Sequence, residues 1–296
     1  MIDQAARLRE IATEIKTESV TGSFVRPRSR VIAVTSGKGG VGKTNIAVNM
    51  AMKLREYNNR VLLIDADTNL ANADIILGIS PHFSLSDALV KDYPIKDVIS
   101  TGPGGIHFLP GGSGLVELLE LPDLKQKKIL HQLERLESRY DYLILDTPAG
   151  LNKQLLDYLS LATQVFVIAT PEPTSIADAY AVVKVLSLKQ EKLPQIRFII
   201  NQAKTEEHGR EIYSKLKMVI DKFLQVNVRY LGTVQFDKRV SEAVIRQKPF
   251  SAAFPKSDAS RCLDIIIERI ITRSGPGKTG NEESFFSKLK KISILN

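Results

Sequence analysis

The chain has 296 residues, of which 43% are hydrophobic and 25% charged, and carries a net charge of +8. That length accommodates one large folded domain with short appendages, and the charge favours anionic partners. A single cysteine, Cys262, excludes an internal disulfide framework; with no N-terminal apolar leader and no run of 18 apolar residues, neither secretion nor a membrane span is expected.

Residues 1–20 are expected to contain a helix, with Ala5, Leu8 and Ile11 or Ile15 on one face. A polar, proline-containing linker comes next at 21–30, and the main domain is expected to span 31–272. It opens with Val31–Thr35, a β-branched run that predicts a buried strand, and Asn45–Leu54 then shows helical periodicity. Further short apolar runs fall at Val61–Ile64, Ile106–Leu109, Tyr142–Leu145, Val165–Ala169, Ile196–Ile200 and Val228–Val234, with helical stretches between them. Most lack alternation, as strands covered on both faces do. The fold class is therefore α/β: a doubly wound, mostly parallel sheet flanked by helices, with ligands expected at the carboxyl ends of its strands. The glycine-rich stretches Gly102–Gly105 and Gly111–Gly114 read as turns.

Between the first strand and its helix lies Gly37-Lys38-Gly39-Gly40-Val41-Gly42-Lys43-Thr44, which fits the phosphate-loop pattern G-x-x-x-x-G-K-[ST]. Its glycines let successive backbone N–H groups turn inward, and with the adjoining helix N-terminus, which includes Asn45, they make a nest for negative oxygens. Lys43 would reach the terminal phosphates of a nucleotide, and the Thr44 hydroxyl would ligate Mg²⁺. Carboxylates come directly after two other strands: Asp65 and Asp67 after Val61–Ile64, and Asp146, heading Asp146-Thr147-Pro148-Ala149-Gly150, after Tyr142–Leu145. All three segments would converge on one sheet edge. His82, His107, His131 and His208 are scattered without metal-ligand spacing, and no rival catalytic set is visible.

Lys38, placed directly after the first glycine, resembles the signature of the deviant Walker A ATPases, the SIMIBI-class phosphate-loop NTPases that include MinD, ParA, the nitrogenase iron protein and the arsenite-pump ATPase. The resemblance implies an ATP-hydrolysing switch in which Lys38 crosses a homodimer interface to the partner's nucleotide. It also implies that Asp67 positions the attacking water, Asp65 supports the Mg²⁺ shell, and Asp146 holds Mg²⁺ through water. Asn201 stands where MinD-like proteins contact adenine, and Gln235 and Asp237 correspond to a second base-flanking segment, although the family often has proline at the position of Gln235. A lone cysteine excludes an iron–sulfur cluster of the nitrogenase-iron-protein type.

The ends add to this resemblance. Residues 273–283 form a Gly/Pro-containing linker, which argues against close packing of the C-terminal segment on the domain. In that last segment, 284–296, Phe285, Phe286, Leu289, Ile292 and Leu295 gather on one helical face beside Lys288 and Lys291, a pattern suited to a reversible anchor in anionic inner-membrane lipid. The opening Asp3-Gln4-Ala5-Ala6-Arg7-Leu8-Arg9 matches the D-Q-A-x-x-L-R motif of the FlhG family (FleN or YlxH), MinD-like regulators of flagellar number. That resemblance implies an N-terminal segment (Asp3, Gln4, Ala5, Leu8, Arg9) that activates FlhF, a GTPase of the signal-recognition-particle class. It further implies contacts with flagellar C-ring proteins and, in some bacteria, a flagellar transcription activator, with the protein alternating between cytoplasm and the inner membrane's cytoplasmic face. The rivals are a ParA-like DNA-partitioning ATPase, which has no need of an amphipathic tail, a MinD-like division-site regulator, which has no need of the N-terminal extension, and a scaffold whose ATP is structural. Direct DNA binding is not expected.

Overall fold

The computed structural model describes residues 29–67, 72–189, 193–273 and 283–294. The expected N-terminal helix, including Asp3, Gln4, Ala5, Leu8 and Arg9, lies outside the described residues, as do most of the two linkers and Leu295.

From Ser29 the chain runs through β1 (Arg30–Thr35), α1 (Lys43–Glu56), β2 (Val61–Asp65), α2 (Ala73–Leu77), α3 (Leu85–Lys91), α4 (Ile95–Val98), β3 (Ser100–Thr101) and β4 (His107–Pro110). Next come α5 (Gly114–Glu120), α6 (Asp123–Glu137), β5 (Tyr142–Asp146), α7 (Lys153–Leu161), β6 (Gln164–Ala169), α8 (Pro173–Lys189), β7 (Gln195–Ala203) and α9 (Glu206–Phe223). The last elements are β8 (Val228–Gln235), α10 (Lys238–Ile245), α11 (Phe250–Ala253), α12 (Asp258–Arg273) and α13 (Phe285–Ile294).

One eight-stranded sheet carries the strand order β3-β4-β2-β5-β1-β6-β7-β8. Every pairing is parallel except β3 with β4. All seven apolar runs of the sequence are strands. The eighth, β3, escapes a pattern search because two residues at an antiparallel edge carry no periodicity.

The central strands β2, β5 and β6 are buried along their whole length, because helices cover both faces of the sheet. Strand side chains alternate between two cores. Val31, Ala33, Leu143 and Leu145 join α3, α5, α6, α7, α8 and α9 on one face. Ile32, Val34, Leu63 and Ile144 join α1, α2, α11 and α12 on the other.

The tail does not behave as its linker suggests. Helix α13 packs against α5, α6 and α7, and Phe285, Phe286 and Leu289 are buried in the first core. The side chain of Ile292 lies outside the described residues. Each such apolar side chain contributes about 1.5–3 kcal/mol on full burial. Two acids of α6 complete the seat: Glu137 Oε1 accepts the backbone N–H of Phe285 at 3.2 Å, and Glu134 Oε1 accepts the Ser287 hydroxyl at 2.6 Å. A carboxylate at a helix N-terminus also meets the positive end of that helix's dipole. The spacing of the apolar residues is the same for lipid and for protein; a complementary groove on α6 and α7 decides where they go. Among the described residues no helix is long and apolar enough to cross a membrane.

Candidate functional site

The phosphate loop lies between β1 and α1, at the carboxyl edge of the sheet. Gly40 and Gly42 hold φ values of 78° and 88°, a left-handed conformation that side chains with a Cβ adopt only with strain. At Gly42 a Cβ would also collide with the amide of Asn201. That amide donates to the Val41 carbonyl at 2.7 Å and so braces the loop from β7. The Gly150 N–H donates to the Ser36 carbonyl at 3.2 Å, joining the segment after β5 to the loop. A cavity of about 340 Å³ opens here, lined by Lys38, Gly39, Gly40, Lys43, Thr44 and Asn45 among others.

The carboxylates at the ends of β2 and β5 meet beside the phosphate loop. Asp65 and Asp146 are register partners on adjacent strands β2 and β5. Lys43 Nζ lies 3.6 Å from Asp146 Oδ1, and both side chains are buried. Burial raises the Asp146 pKa, while Lys43 and Thr44 pull the other way. Burial, and then the charge of Asp146, pushes Asp65 up to about 7.

Asp146 Oδ1 has no hydrogen-bond partner despite its burial. An unsatisfied buried carboxylate oxygen beside a hydroxyl and a second carboxylate fits a hard divalent cation. Thr44 and Asp146 are the groups that would hold Mg²⁺, whose chemistry is to neutralise phosphate charge. Among the described residues no cluster of three or more His, Cys, Asp or Glu exists that could hold a metal by itself. Asp65 does something its sequence position does not announce. Its Oδ1 accepts the Asp67 N–H at 3.0 Å and its Oδ2 the Ala73 N–H at 3.4 Å, so it pins both ends of the segment that carries Asp67.

Lys38 lines the rim of the cavity. Its ammonium lies 2.7 Å from Glu172 Oε2 and 3.2 Å from Thr174 Oγ1. Sequence reasoning missed these two partners, just after β6; the signal was an acid placed soon after yet another strand end. Gln235 ends β8 at the same edge. Asp237 is committed elsewhere: it caps α10 through the Arg239 N–H at 2.9 Å and pairs with the Arg239 guanidinium at 3.0 Å. Its Oδ2 accepts the Ala259 N–H of α12 at 3.5 Å.

Residues 29–198 match the family model described as an AAA domain. Antiactivator FleN of Pseudomonas aeruginosa is 35% identical over 257 residues, covering 87% of this chain and 91% of that protein. The flagellum site-determining protein YlxH of Helicobacter pylori is 30% identical over 297 residues, covering 98% of this chain and 99% of that protein. The chain belongs to the FlhG (FleN/YlxH) group of MinD-like ATPases. Its fold agrees: the MinD cell division protein of Aquifex aeolicus superposes with a TM-score of 0.64 at 26% identity, covering 84% of this chain and 100% of that one.

A MinD-like ATPase hydrolyses ATP to ADP and phosphate, a reaction whose catalysis is mostly positioning and charge stabilisation. The backbone N–H groups of such a loop, together with the buried Lys43, supply positive potential to a bound phosphate. The Asp65–Asp146 pair has a consequence for stability. A carboxylate whose folded pKa lies near 7, against about 3.9 unfolded, takes up protons on folding, so its contribution falls as pH rises between those values and is flat above. Without metal, the chain is expected to lose stability from this pair as pH rises from about 4 to about 7. Because a cation favours the ionised pair, thermal melting with and without Mg-ADP should show a larger stabilisation at about pH 8 than at about pH 5.5.

Proposed function

We propose that this chain is an ATP-driven switch that dimerises on ATP, moves to the cytoplasmic face of the inner membrane, and sets flagellar number or placement. In this reading the loop residues Gly37 to Asn45 hold the phosphates, and Lys38 leaves Glu172 to neutralise charge on the partner's nucleotide. Asp67 orients the attacking water, Thr44 and Asp146 hold Mg²⁺, and the adenine lies near Asn201 and Gln235. The released tail face of Phe285, Phe286, Leu289, Ile292 and Leu295 inserts into anionic lipid. Residues Asp3, Gln4, Ala5, Leu8 and Arg9 engage the FlhF-type GTPase, and C-ring proteins and a flagellar transcription activator are further partners. The name of the YlxH relative, a flagellum site-determining protein, supports the flagellar role.

The observation that carries the switch is the seat of the tail. Helix α13 rests on α7, and α7 begins directly after the Asp146–Gly150 segment, with Asn152 Oδ1 capping it through the Leu155 N–H at 2.7 Å. A movement of that segment when the terminal phosphate binds would shift α7 and loosen the seat. Two tails on one dimer then gain avidity of about 10²–10⁴-fold over one.

Sedimentation with anionic vesicles tests this. The full chain is expected to pellet with ATP and to remain in solution with ADP, while a chain ending at residue 273 stays in solution with either nucleotide. Vesicle binding that ignores the nucleotide, or that survives loss of the tail, would defeat the proposal.

A further inference from the structure

A second cavity, of about 280 Å³, lies between α4 and α6, remote in sequence from the phosphate loop, and is lined by Ile95, Lys96, Gln132, Arg135, Leu136 and Arg139 among others. Its floor is apolar, since Ile95 and Leu136 are buried. Gln132 holds the two helices in place by accepting the Ile95 N–H at 3.1 Å. Its rim is cationic. Arg135 lies in the last turn of α6 and Arg139 just beyond its end, and Lys96 faces the same cavity from α4.

Among the described residues, no acid lines this cavity and none of the three cations forms an ion pair. Neighbouring cations do: Lys91 pairs with Asp87 at 3.1 Å and Lys128 with Asp92 at 3.1 Å. Three positive charges around one concavity repel one another, a cost that an anion would relieve. Guanidinium groups bind phosphate oxygens in bidentate fashion. The buried floor beneath the cations suits a phosphodiester that carries an apolar substituent better than it suits bare inorganic phosphate.

We infer that this cavity binds the phosphodiester headgroup of an anionic phospholipid. It lies on the same helix, α6, that seats the tail through Glu134 and Glu137. The lipid as the source of the phosphate rests on the membrane reading above; the anion site itself does not. Binding here would fix how the domain is oriented on the bilayer, a task that a tail on a long linker cannot perform.

The test uses the full chain saturated with Mg-ADP, so that the phosphate loop is filled. Dihexanoyl phosphatidylglycerol below its micellar concentration, dihexanoyl phosphatidylcholine and inorganic phosphate are titrated separately by calorimetry. Phosphatidylglycerol should bind, and the Arg135→Gln/Arg139→Gln double variant should bind it at least about tenfold more weakly. Its melting temperature and ATPase rate should be unchanged, because both side chains are exposed and outside the catalytic cavity. Inorganic phosphate binding as tightly as phosphatidylglycerol would overturn the lipid assignment in favour of a soluble phosphate. No saturable binding of either anion, equal binding of phosphatidylcholine, or an unaffected double variant would overturn the site. Vesicle sedimentation with ATP reads the tail separately: tail-dependent recruitment that fails while monomeric phosphatidylglycerol still binds refutes the switch and leaves the cavity standing.

Discussion

Replacing Lys43 with alanine is expected to lower ATP hydrolysis by about 10²–10³-fold, the usual consequence of removing one preorganised electrostatic donor. The structure adds a second effect. Lys43 Nζ is 3.6 Å from Asp146 Oδ1, and burial already presses the Asp146 carboxyl toward its neutral form. Without the ammonium, the Asp146 pKa rises further, which works against its holding the metal. Breaking a buried pair by removing one partner costs about 3–5 kcal/mol, so the variant should also melt at a lower temperature. The activity loss is measured as multiple-turnover phosphate release well below that melting point. Lys43→Gln, which keeps part of the side chain's volume, should show the same catalytic loss with a smaller melting shift. Retention of wild-type turnover by either variant would mean that hydrolysis occurs elsewhere.

Asp67→Ala should separate binding from turnover. The Asp67 backbone N–H donates to Asp65 Oδ1 at 3.0 Å, and an alanine keeps that bond. The segment should therefore stay anchored and the nucleotide should still bind. Hydrolysis is expected to fall by about 10²-fold, the lower range for loss of a positioned catalytic group. With hydrolysis blocked, ATP should hold two copies together, since Lys38 at the rim can exchange Glu172 for a second molecule's phosphates. The exchange costs little: the Lys38–Glu172 pair is solvent-exposed, and such pairs contribute about 0–1 kcal/mol. Light scattering after size exclusion should give twice the monomer mass with ATP and the monomer mass with ADP. A monomer at saturating ATP would sink the dimer and, with it, the regulated tail.

The phosphate loop, its strand and its helix were legible because their chemistry constrains the backbone itself. Gly40 and Gly42 occupy left-handed conformations, Lys43 and Thr44 open the helix, and no other residues do this work in so short a span. The acids at 65, 67 and 146 were legible for a related reason: a parallel sheet brings strand ends to one edge, so sequence position predicts spatial convergence. What Asp65 does there was less visible. Its backbone partners, Asp67 and Ala73, come from a segment whose path the pattern of residues does not specify. Glu172 escaped notice because its partner, Lys38, is 134 positions away.

By itself, the sequence determined the layered α/β fold, the nucleotide cavity and the convergence of its carboxylates, since periodicity and short-range backbone chemistry are local properties. Tertiary structure decided which surfaces those local elements meet. The amphipathic face of the tail suits a lipid interface and a protein groove equally, and the groove of α6 and α7, closed by Glu134 and Glu137, settled its seat in this structure. Asp237 likewise caps α10, a role set by the helix that follows it. A side chain's chemistry is written in the chain, but its partner is whichever group the fold brings within a few ångströms, and that depends on contacts between segments far apart in sequence.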